Sequence, residues 1–273
     1  MREILVAALV AGAVITWSAD AAAQVRAADA AAQVRGPSSA ADTTREITTE
    51  ELESILAARR ATVLDVRPHR EYSISHIPGA ANVAPKPGVT RSMYVSDVAE
   101  IDRLVKGNKS TPLILYCNGV HCGKSKRLAA ELFDAGFTAV RRYQLGIPMW
   151  RAVGNVCEIE LEGIRYIRLK DRTAVVIDAR ERADYQRGTL PDARNIPRSL
   201  VLREKDTGEV RRAKDDGRLP MEDHNTRIVV VGKDAADARY VAEALAREAF
   251  HNVSYFAGAF ETVKQFLQQE ESR

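Results

Sequence analysis

The sequence contains the same unit twice, and this repeat limits the possible folds more than any other feature. A constant shift without a gap carries residues of the first copy onto like residues of the second. The matched pairs are Asp65 and Asp178, Arg67 and Arg180, Glu71 and Asp184, Tyr72 and Tyr185, Pro78 and Pro191, Ala80 and Ala193, Asn82 and Asn195, Phe137 and Phe250, and Val140 and Val253. A repeat of this length predicts one domain that is used twice.

Each copy alternates strand-like and helix-like segments. Residues 61–66 and 113–116 are apolar runs of strand length, whereas residues 49–56 and 124–132 carry apolar side chains at helical spacing. Strands that alternate with helices are typical of a parallel sheet that is covered by helices on both faces. The sequence therefore predicts an α/β fold with two such domains, over residues 47–155 and 156–270.

The N-terminus is expected to direct export. Residues 4–17 carry no charge, and the small-residue run 21–23 follows them. This pattern predicts a signal peptide over residues 1–23 that is cleaved after Ala23, with an uncleaved membrane anchor as the alternative. Residues 24–46 have low complexity and are expected to form a disordered linker. The mature protein would then be periplasmic or secreted, without stable membrane insertion.

Composition excludes one large class of function. The formal net charge is only +3, and the basic residues are scattered among acidic ones. Nucleic acid is therefore not an expected partner. The 45% of hydrophobic and 28% of charged residues are typical of a soluble globular protein.

The most informative motif places a cysteine between a strand and a helix. The apolar run 113–116 ends at Cys117, a short loop follows, and a helix is predicted from about Lys124. Loop amides and unpaired helix N–H groups converge at such a turn, where they bind anions and favour a thiolate. Cys117 is therefore the candidate nucleophile. In the second copy Gly232 replaces it, and Asp234 and Asp237 would repel an anion.

Four motifs in order resemble the rhodanese family, in tandem. They are residues 65–67 with Glu71 and Tyr72, residues 75–82, the Cys117 loop with its helix, and residues 146–150. The resemblance implies a sulfurtransferase in which Cys117 takes sulfur from a small anionic donor such as thiosulfate and passes it from a persulfide to a thiol or to cyanide. No cofactor or metal is implied. The expected substrate-binding residues are Asn118, Gly119, Val120, His121, Cys122, Gly123, Lys124, Ser125, Asp65 and Arg67.

Several alternatives remain open at this stage. Cys122 could resolve the persulfide or close a disulfide with Cys117, or it could be a passive loop thiol. Asp65 and Arg67 could bind a ligand at the sheet edge or form an ion pair there. The three cysteines leave at least one thiol unpaired, which suggests reactivity, and Cys157 is expected to be a bystander between the domains. The rival functions are a thiol redox protein that uses Cys117 and Cys122, and a non-catalytic binding module.

Overall fold

A computed structural model describes residues 44–83 and 98–272 of the chain. The predicted signal peptide and residues 24–43 of the predicted linker lie outside these ranges. No helix within them is long and apolar enough to cross a lipid bilayer.

The first domain is built on a four-stranded parallel sheet with the strand order β2-β1-β3-β4. Its elements in chain order are α1 (Thr49–Ala57), β1 (Thr62–Asp65), α2 (His69–Ile74), β2 (Ala81–Asn82), α3 (Val98–Leu104), β3 (Leu113–Tyr116), α4 (Lys124–Asp134), β4 (Val140–Tyr143) and α5 (Gly146–Ala152).

The second domain repeats this plan with one more strand at the edge, in the order β5-β9-β8-β6-β7. Its elements are β5 (Cys157–Ile159), α6 (Leu161–Lys170), β6 (Val175–Asp178), α7 (Arg182–Arg187), β7 (Arg194–Asn195), a 3-10 helix (Arg198–Leu200), α8 (Gly208–Asp215), β8 (Ile228–Val231), α9 (Ala235–Arg247), β9 (Val253–Phe256) and α10 (Phe260–Glu271). The predicted α/β fold with two parallel sheets is confirmed.

Helices cover both faces of the first sheet because β3 is apolar on both sides. Leu113 and Leu115 pack into the layer that includes Leu128 of α4, whereas Ile114 packs into the layer that includes Trp150 of α5. This alternation follows from the period of two residues in a strand. A central strand that is buried on both faces places its C-terminal end at the middle of the sheet edge, where ligands bind in folds of this kind.

The repeated residues make the same hydrogen bonds in both copies. The side-chain amide of Asn82 donates to the carbonyl oxygens of Asp65 and Arg67 at 3.0 and 2.9 Å. Asn195 donates in the same way to the backbone of the second copy, at 2.9 and 2.8 Å. The hydroxyl of Tyr72 donates to the Ala80 carbonyl, and its counterpart in the second copy does the same. The residues that match between the two copies therefore maintain the same backbone scaffold in each domain.

Two boundaries differ from the sequence prediction. The segment before Ile47 was assigned to the linker, but residues 45–47 pair with β4: the Arg142 N–H donates to the Arg45 carbonyl at 3.0 Å, and the Ile47 N–H donates to the Arg142 carbonyl at 2.9 Å. Cys157 was expected between the domains. It lies instead in β5, fully buried in the second sheet. Each of these two segments pairs with one strand of a sheet, β4 or β9. Such pairing joins residues that are far apart in the chain, so the spacing of apolar residues does not reveal it.

The two domains join through a short antiparallel bridge between His76 and Glu158. The Glu158 carboxylate accepts from the Gly79 N–H at 3.1 Å and from the Tyr255 hydroxyl at 2.8 Å, and it lies 3.4 Å from Nε2 of His76. Burial raises the pKa of Glu158, but the hydrogen bonds from His76, Gly79 and Tyr255 outweigh burial and bring this pKa below its usual value. The carboxylate is thus held in its charged form at the domain junction.

Glu158→Gln is expected to lower the free energy of unfolding by about 1 kcal/mol at neutral pH, because the charge that accepts these bonds is lost. The pKa of Glu158 is lower in the folded chain than in the unfolded one. Its stabilising effect is therefore complete above the ordinary glutamate value of about 4.3 and is lost as the pH falls through the folded-state value. Urea unfolding of both proteins at a series of pH values measures this difference.

The stability difference between the two proteins should therefore shrink on acidification. A difference that stays constant well below the ordinary glutamate pKa would contradict the assignment. Glu160→Gln is the matched control, since this carboxylate lies 3.7 Å from the same imidazole but its side chain is 46% exposed. Its expected effect is below about 0.5 kcal/mol, as for other exposed pairs.

Candidate active site

Cys117 follows the last residue of β3 and continues the alternation of that strand. Its side chain lies in the same layer as Leu113 and Leu115, on the face of the sheet that α4 covers. The residue is 2% exposed. The thiol position predicted from the sequence, between a buried strand and a helix, is therefore where the structure places it.

Cys117 is joined to Cys122 by a disulfide, with a Cα–Cα distance of 6.3 Å. This is one of the outcomes the sequence left open for Cys122, and it differs from a passive loop thiol. The structure therefore represents the oxidised state, in which Cys117 holds no thiol. The unpaired cysteine is Cys157, which is fully buried. The cysteine left over by the odd count is thus a buried residue outside the Cys117 loop, and the reactivity that the odd count suggested stays a prediction.

Most backbone amides of the loop at residues 118–123 have no hydrogen-bond acceptor in the part of the protein that the structure describes. Within the two described ranges, five of its amides donate to no protein acceptor, and they belong to Asn118, Gly119, Val120, His121 and Gly123. The Cys122 N–H closes a turn by donating to the Gly119 carbonyl at 2.9 Å. Unpaired amides in one short loop are typical of anion-binding backbone.

Helix α4 begins against the usual electrostatic preference. Acidic residues are favoured in the first turn of a helix, where the dipole is positive. Here the first turn contains Lys124, Lys126 and Arg127 and no acidic residue, and no side chain caps the helix. Positive charge at this end does not favour the helix, but it suits an anion bound in the preceding loop.

Gln144 and Arg142, which the sequence reasoning missed, hold the loop through side-chain hydrogen bonds. The side-chain amide of Gln144 donates to the Val120 carbonyl at 3.0 Å and to the Gly119 and Cys122 carbonyls at 3.4 Å. Its oxygen accepts from Arg142 at 2.7 Å. Gln144 follows β4, the strand beside β3, so its position at the same sheet edge was a signal that could have identified it.

The loop side chains differ in their freedom to meet a ligand. Val120, His121 and Asn118 are exposed, but the side-chain amide of Asn118 already donates to the Glu71 carboxylate at 2.6 Å. Lys124 is half-buried in the first turn of α4. Ser125 is buried, with its hydroxyl 3.4 Å from the Gln144 oxygen. The backbone of the loop is therefore a better candidate for anion binding than most of its side chains.

Asp65 and Arg67 form a buried ion pair. Nε of Arg67 lies 3.0 Å from both carboxylate oxygens, and Nη2 lies 2.5 Å from Oδ2 and 2.6 Å from the Ser75 carbonyl. The Tyr116 hydroxyl donates to the same carboxylate at 2.6 Å. Both charged side chains are buried and engaged with protein groups, so the ion pair that the sequence left open is present beside Cys117, and their role in substrate binding stays a prediction.

Two members of this cluster, Arg67 and Tyr116, have raised pKa values. Burial opposes the charge on Arg67, but attraction to Asp65 outweighs burial and raises the pKa of the guanidinium. Burial, together with the Asp65 charge, also raises the pKa of Tyr116 well above its usual value. The phenol therefore remains a hydrogen-bond donor, and it directly precedes Cys117 in the chain.

Gly146, the first residue of α5, allows the loop to approach closely. A Cβ at this position would lie 2.3 Å from the Cys117 carbonyl oxygen and 2.5 Å from the Gly119 nitrogen. Its φ is +63°, a conformation that side chains disfavour. The next residue, Ile147, donates its N–H to the Cys117 carbonyl at 3.1 Å. The start of α5 thus fixes the backbone of the candidate nucleophile.

The equivalent site in the second domain is closed. A Cβ on Gly232 would lie 2.7 Å from the Ala238 nitrogen and 3.0 Å from the Asp234 carbonyl oxygen. The Asp234 side chain caps α9 by accepting from the Asp237 N–H at 3.0 Å. The helix N-terminus is therefore occupied by a carboxylate of the chain itself, which agrees with the predicted loss of the nucleophile and of the anion site.

A metal centre has no support among the residues that the structure describes. No three His, Cys, Asp or Glu side chains there converge as metal ligands. His121 lies exposed on the loop.

Comparison with known proteins assigns the family. The family model described as the rhodanese-like domain matches residues 48–153 and 166–265. These two matches cover most of the chain, one in each domain of the structure. The chain therefore belongs to the rhodanese-like family and carries two copies of its domain.

Three known proteins illustrate the similarity. A curated HTH-type transcriptional regulator of Mycobacterium tuberculosis (strain ATCC 25618 / H37Rv) is 34% identical over 109 residues, which are 40% of this chain and 42% of that protein. The chain thus spans about two fifths of this relative's length. The structure of a thiosulfate sulfurtransferase from Pseudomonas aeruginosa is 22% identical, with 80% of this chain and 44% of that chain covered and a TM-score of 0.34. A 3-mercaptopyruvate sulfotransferase from Escherichia coli is 21% identical, with 80% and 99% covered and a TM-score of 0.34.

Proposed function

We propose that the protein is a sulfurtransferase that carries sulfane sulfur on Cys117. In the reduced protein, the Cys117 thiolate attacks the outer sulfur of a donor such as thiosulfate. The sulfur–sulfur bond of the donor breaks, sulfite leaves with its electron pair, and a persulfide remains on Cys117. A thiol or cyanide then takes the outer sulfur and restores the thiolate. No step requires a metal or a cofactor.

One observation carries this proposal: Cys117 ends a buried parallel strand and is followed by a loop of unpaired amides and a basic first helical turn. Amides and helix N-termini stabilise a thiolate and an anionic persulfide. The second domain of the same chain lacks the cysteine and the open loop, and it places Asp234 at the helix start. The cysteine and the basic helix start are thus present together in one copy and absent together in the other.

The experiment starts from protein that has been reduced with dithiothreitol and desalted, because the disulfide leaves no thiolate at Cys117. Thiosulfate and cyanide are then supplied, and thiocyanate is measured. A persulfide intermediate predicts ping-pong kinetics, since the donor's product leaves before the acceptor reacts. Reduced protein that forms no thiocyanate above the uncatalysed rate would contradict the proposal and would favour a non-catalytic binding module.

The disulfide favours a second candidate, a thiol redox protein that cycles between the Cys117–Cys122 disulfide and the dithiol. This function would require reduction of a disulfide in another protein and would need no sulfur donor. Turbidity of insulin in the presence of a dithiol reports such activity. Insulin reduction without thiocyanate formation would replace the sulfurtransferase proposal by this one.

We also propose that the protein is exported. Support comes from the uncharged stretch at residues 4–17 and the small residues before Gln24. The intact mass of the protein recovered from the periplasm of a bacterial host would show whether residues 1–23 have been removed. Recovery of the full-length chain from the cytoplasm alone would contradict export.

A further inference from the structure

We infer that Cys122 resolves the Cys117 persulfide and releases its outer sulfur as hydrosulfide. The protein would thereby reduce sulfane sulfur to sulfide, using electrons from a dithiol, in addition to passing sulfur to an acceptor. This inference rests on the proposed function, because it requires that the persulfide forms. It assigns a chemical role to a residue that sulfur transfer alone does not need.

The disulfide shows that the two sulfur atoms reach each other within the fold. Cys122 lies in the same loop, with its Cα 6.3 Å from that of Cys117. Its position is fixed by the turn that its N–H closes on the Gly119 carbonyl, and Gln144 holds the carbonyl oxygens of this turn. The Cys122 side chain packs against the layer that contains Cys117. The attacking thiol therefore needs no domain movement to meet its target.

The step balances in atoms and electrons. The Cys122 thiolate attacks the Sγ atom of Cys117, which carries the outer sulfur. The bond between Sγ and the outer sulfur breaks, and its electron pair leaves with the outer sulfur as hydrosulfide. A bond forms between the two Sγ atoms, so the two cysteines are oxidised while the outer sulfur is reduced. The product is the Cys117–Cys122 disulfide that the structure contains.

An external dithiol completes the cycle. One of its thiolates attacks the protein disulfide, the second closes a disulfide within the reductant, and both protein thiols are restored. The net reaction converts thiosulfate and a dithiol into sulfite, hydrosulfide, a proton and the oxidised reductant. When cyanide is present, it attacks the outer sulfur instead and leaves both cysteines reduced. The two routes therefore compete for the same persulfide.

Within the described residues, the second domain offers no exposed thiol that could replace Cys122 in this step. Its counterpart of Cys117 is Gly232, and the remaining cysteine of the chain, Cys157, is fully buried in β5. Cys157→Ala is therefore a matched control, because it removes a cysteine without changing the loop.

A single turnover without air or added reductant tests the inference. Reduced and desalted protein is mixed with one equivalent of thiosulfate, and sulfite, sulfide and the intact protein mass are measured. The wild type and Cys157→Ala should release sulfite and sulfide in equal amounts, and the protein should lose two hydrogen atoms and keep no added sulfur. Cys122→Ser should release sulfite, retain one additional sulfur atom, and form at least about 10-fold less sulfide, since the neighbouring thiol acts at a high effective concentration.

The possible failures are distinguishable. If the wild type releases sulfite and keeps the added sulfur without forming sulfide, the resolving role of Cys122 is overturned while the sulfurtransferase proposal stands. If the wild type and Cys122→Ser form sulfide to the same extent, the inference is likewise overturned. If neither protein releases sulfite or gains sulfur, the persulfide does not form and the proposed function itself fails.

Discussion

Replacing Cys117 with serine is expected to abolish sulfur transfer. A serine hydroxyl is far less ionised than a thiol and is a poor nucleophile towards sulfur, so it cannot form the persulfide. The expected loss in the rate of thiocyanate formation from thiosulfate and cyanide is at least about 10³-fold, down to the uncatalysed background. Initial rates of the reduced variant, compared with those of the reduced wild type, measure it.

Cys157→Ala controls for the removal of a cysteine as such. Cys157 is fully buried in β5 of the second sheet and unpaired, so its replacement removes a thiol but leaves the candidate site intact. This variant should retain the wild-type rate at temperatures where it is folded. If Cys117→Ser kept a tenth or more of the activity, or if Cys157→Ala lost it, the sulfur carrier would have to be sought elsewhere.

Arg67→Met is expected to cause the largest loss of stability. It leaves the Asp65 carboxylate, which is 0% exposed, with a phenol and one backbone N–H in place of its charged partner. Removal of one member of a buried ion pair costs about 3 to 5 kcal/mol, since the remaining charge stays desolvated. For a chain of this size such a loss lowers the melting temperature by roughly 10 °C. Thermal and urea unfolding measure both quantities.

The repeat supplies a matched control for this effect. Arg180 and Asp178 form the same pair in the second domain, with 2.7 Å between Nη2 and Oδ2. Arg180→Met should lower stability by a similar amount. At temperatures where both variants are folded, however, Arg67→Met alone should slow sulfur transfer, because the Asp65 carboxylate accepts a hydrogen bond from Tyr116, the residue directly before Cys117.

A double variant separates an unpaired charge from a general loss of packing. Asp65→Asn combined with Arg67→Met removes both charges, so it should cost less than Arg67→Met alone. A loss below about 1 kcal/mol for Arg67→Met, typical of exposed pairs, would show that the pair contributes little.

The fold could be predicted because its signals are local and occur twice. Apolar runs such as residues 113–116 and the helical spacing in α4 identify the elements, and the repeat fixes how often they are used. Cys117 could be placed because the end of a parallel strand and the start of the next helix are adjacent in the chain. By contrast, the pairing of residues 45–47 with Arg142 joins distant segments, and no local pattern reports it.

The side-chain contacts of the site were less accessible to sequence reasoning. The sequence places Asp65 and Arg67 at the edge of the sheet where ligands bind, but it does not show whether the two side chains bind each other. The structure shows that they do. Gln144 carries no motif, and its role depends on three carbonyl groups of another loop. The sequence allows Cys122 to resolve a persulfide, to form a disulfide or to be a passive thiol, and it does not distinguish these roles. The oxidation state of Cys122 depends on its redox surroundings as well as on the fold.

The close packing around Gly232 sets a limit on how the second domain can change. Any side chain there would meet the backbone of the following helix, so a codon change to cysteine could not by itself restore a working thiol. A longer loop would have to come first, to move the start of α9 away and make space for a sulfur atom. A single substitution in the second domain would therefore not create a second active site, because the loop there is too short to hold a cysteine side chain.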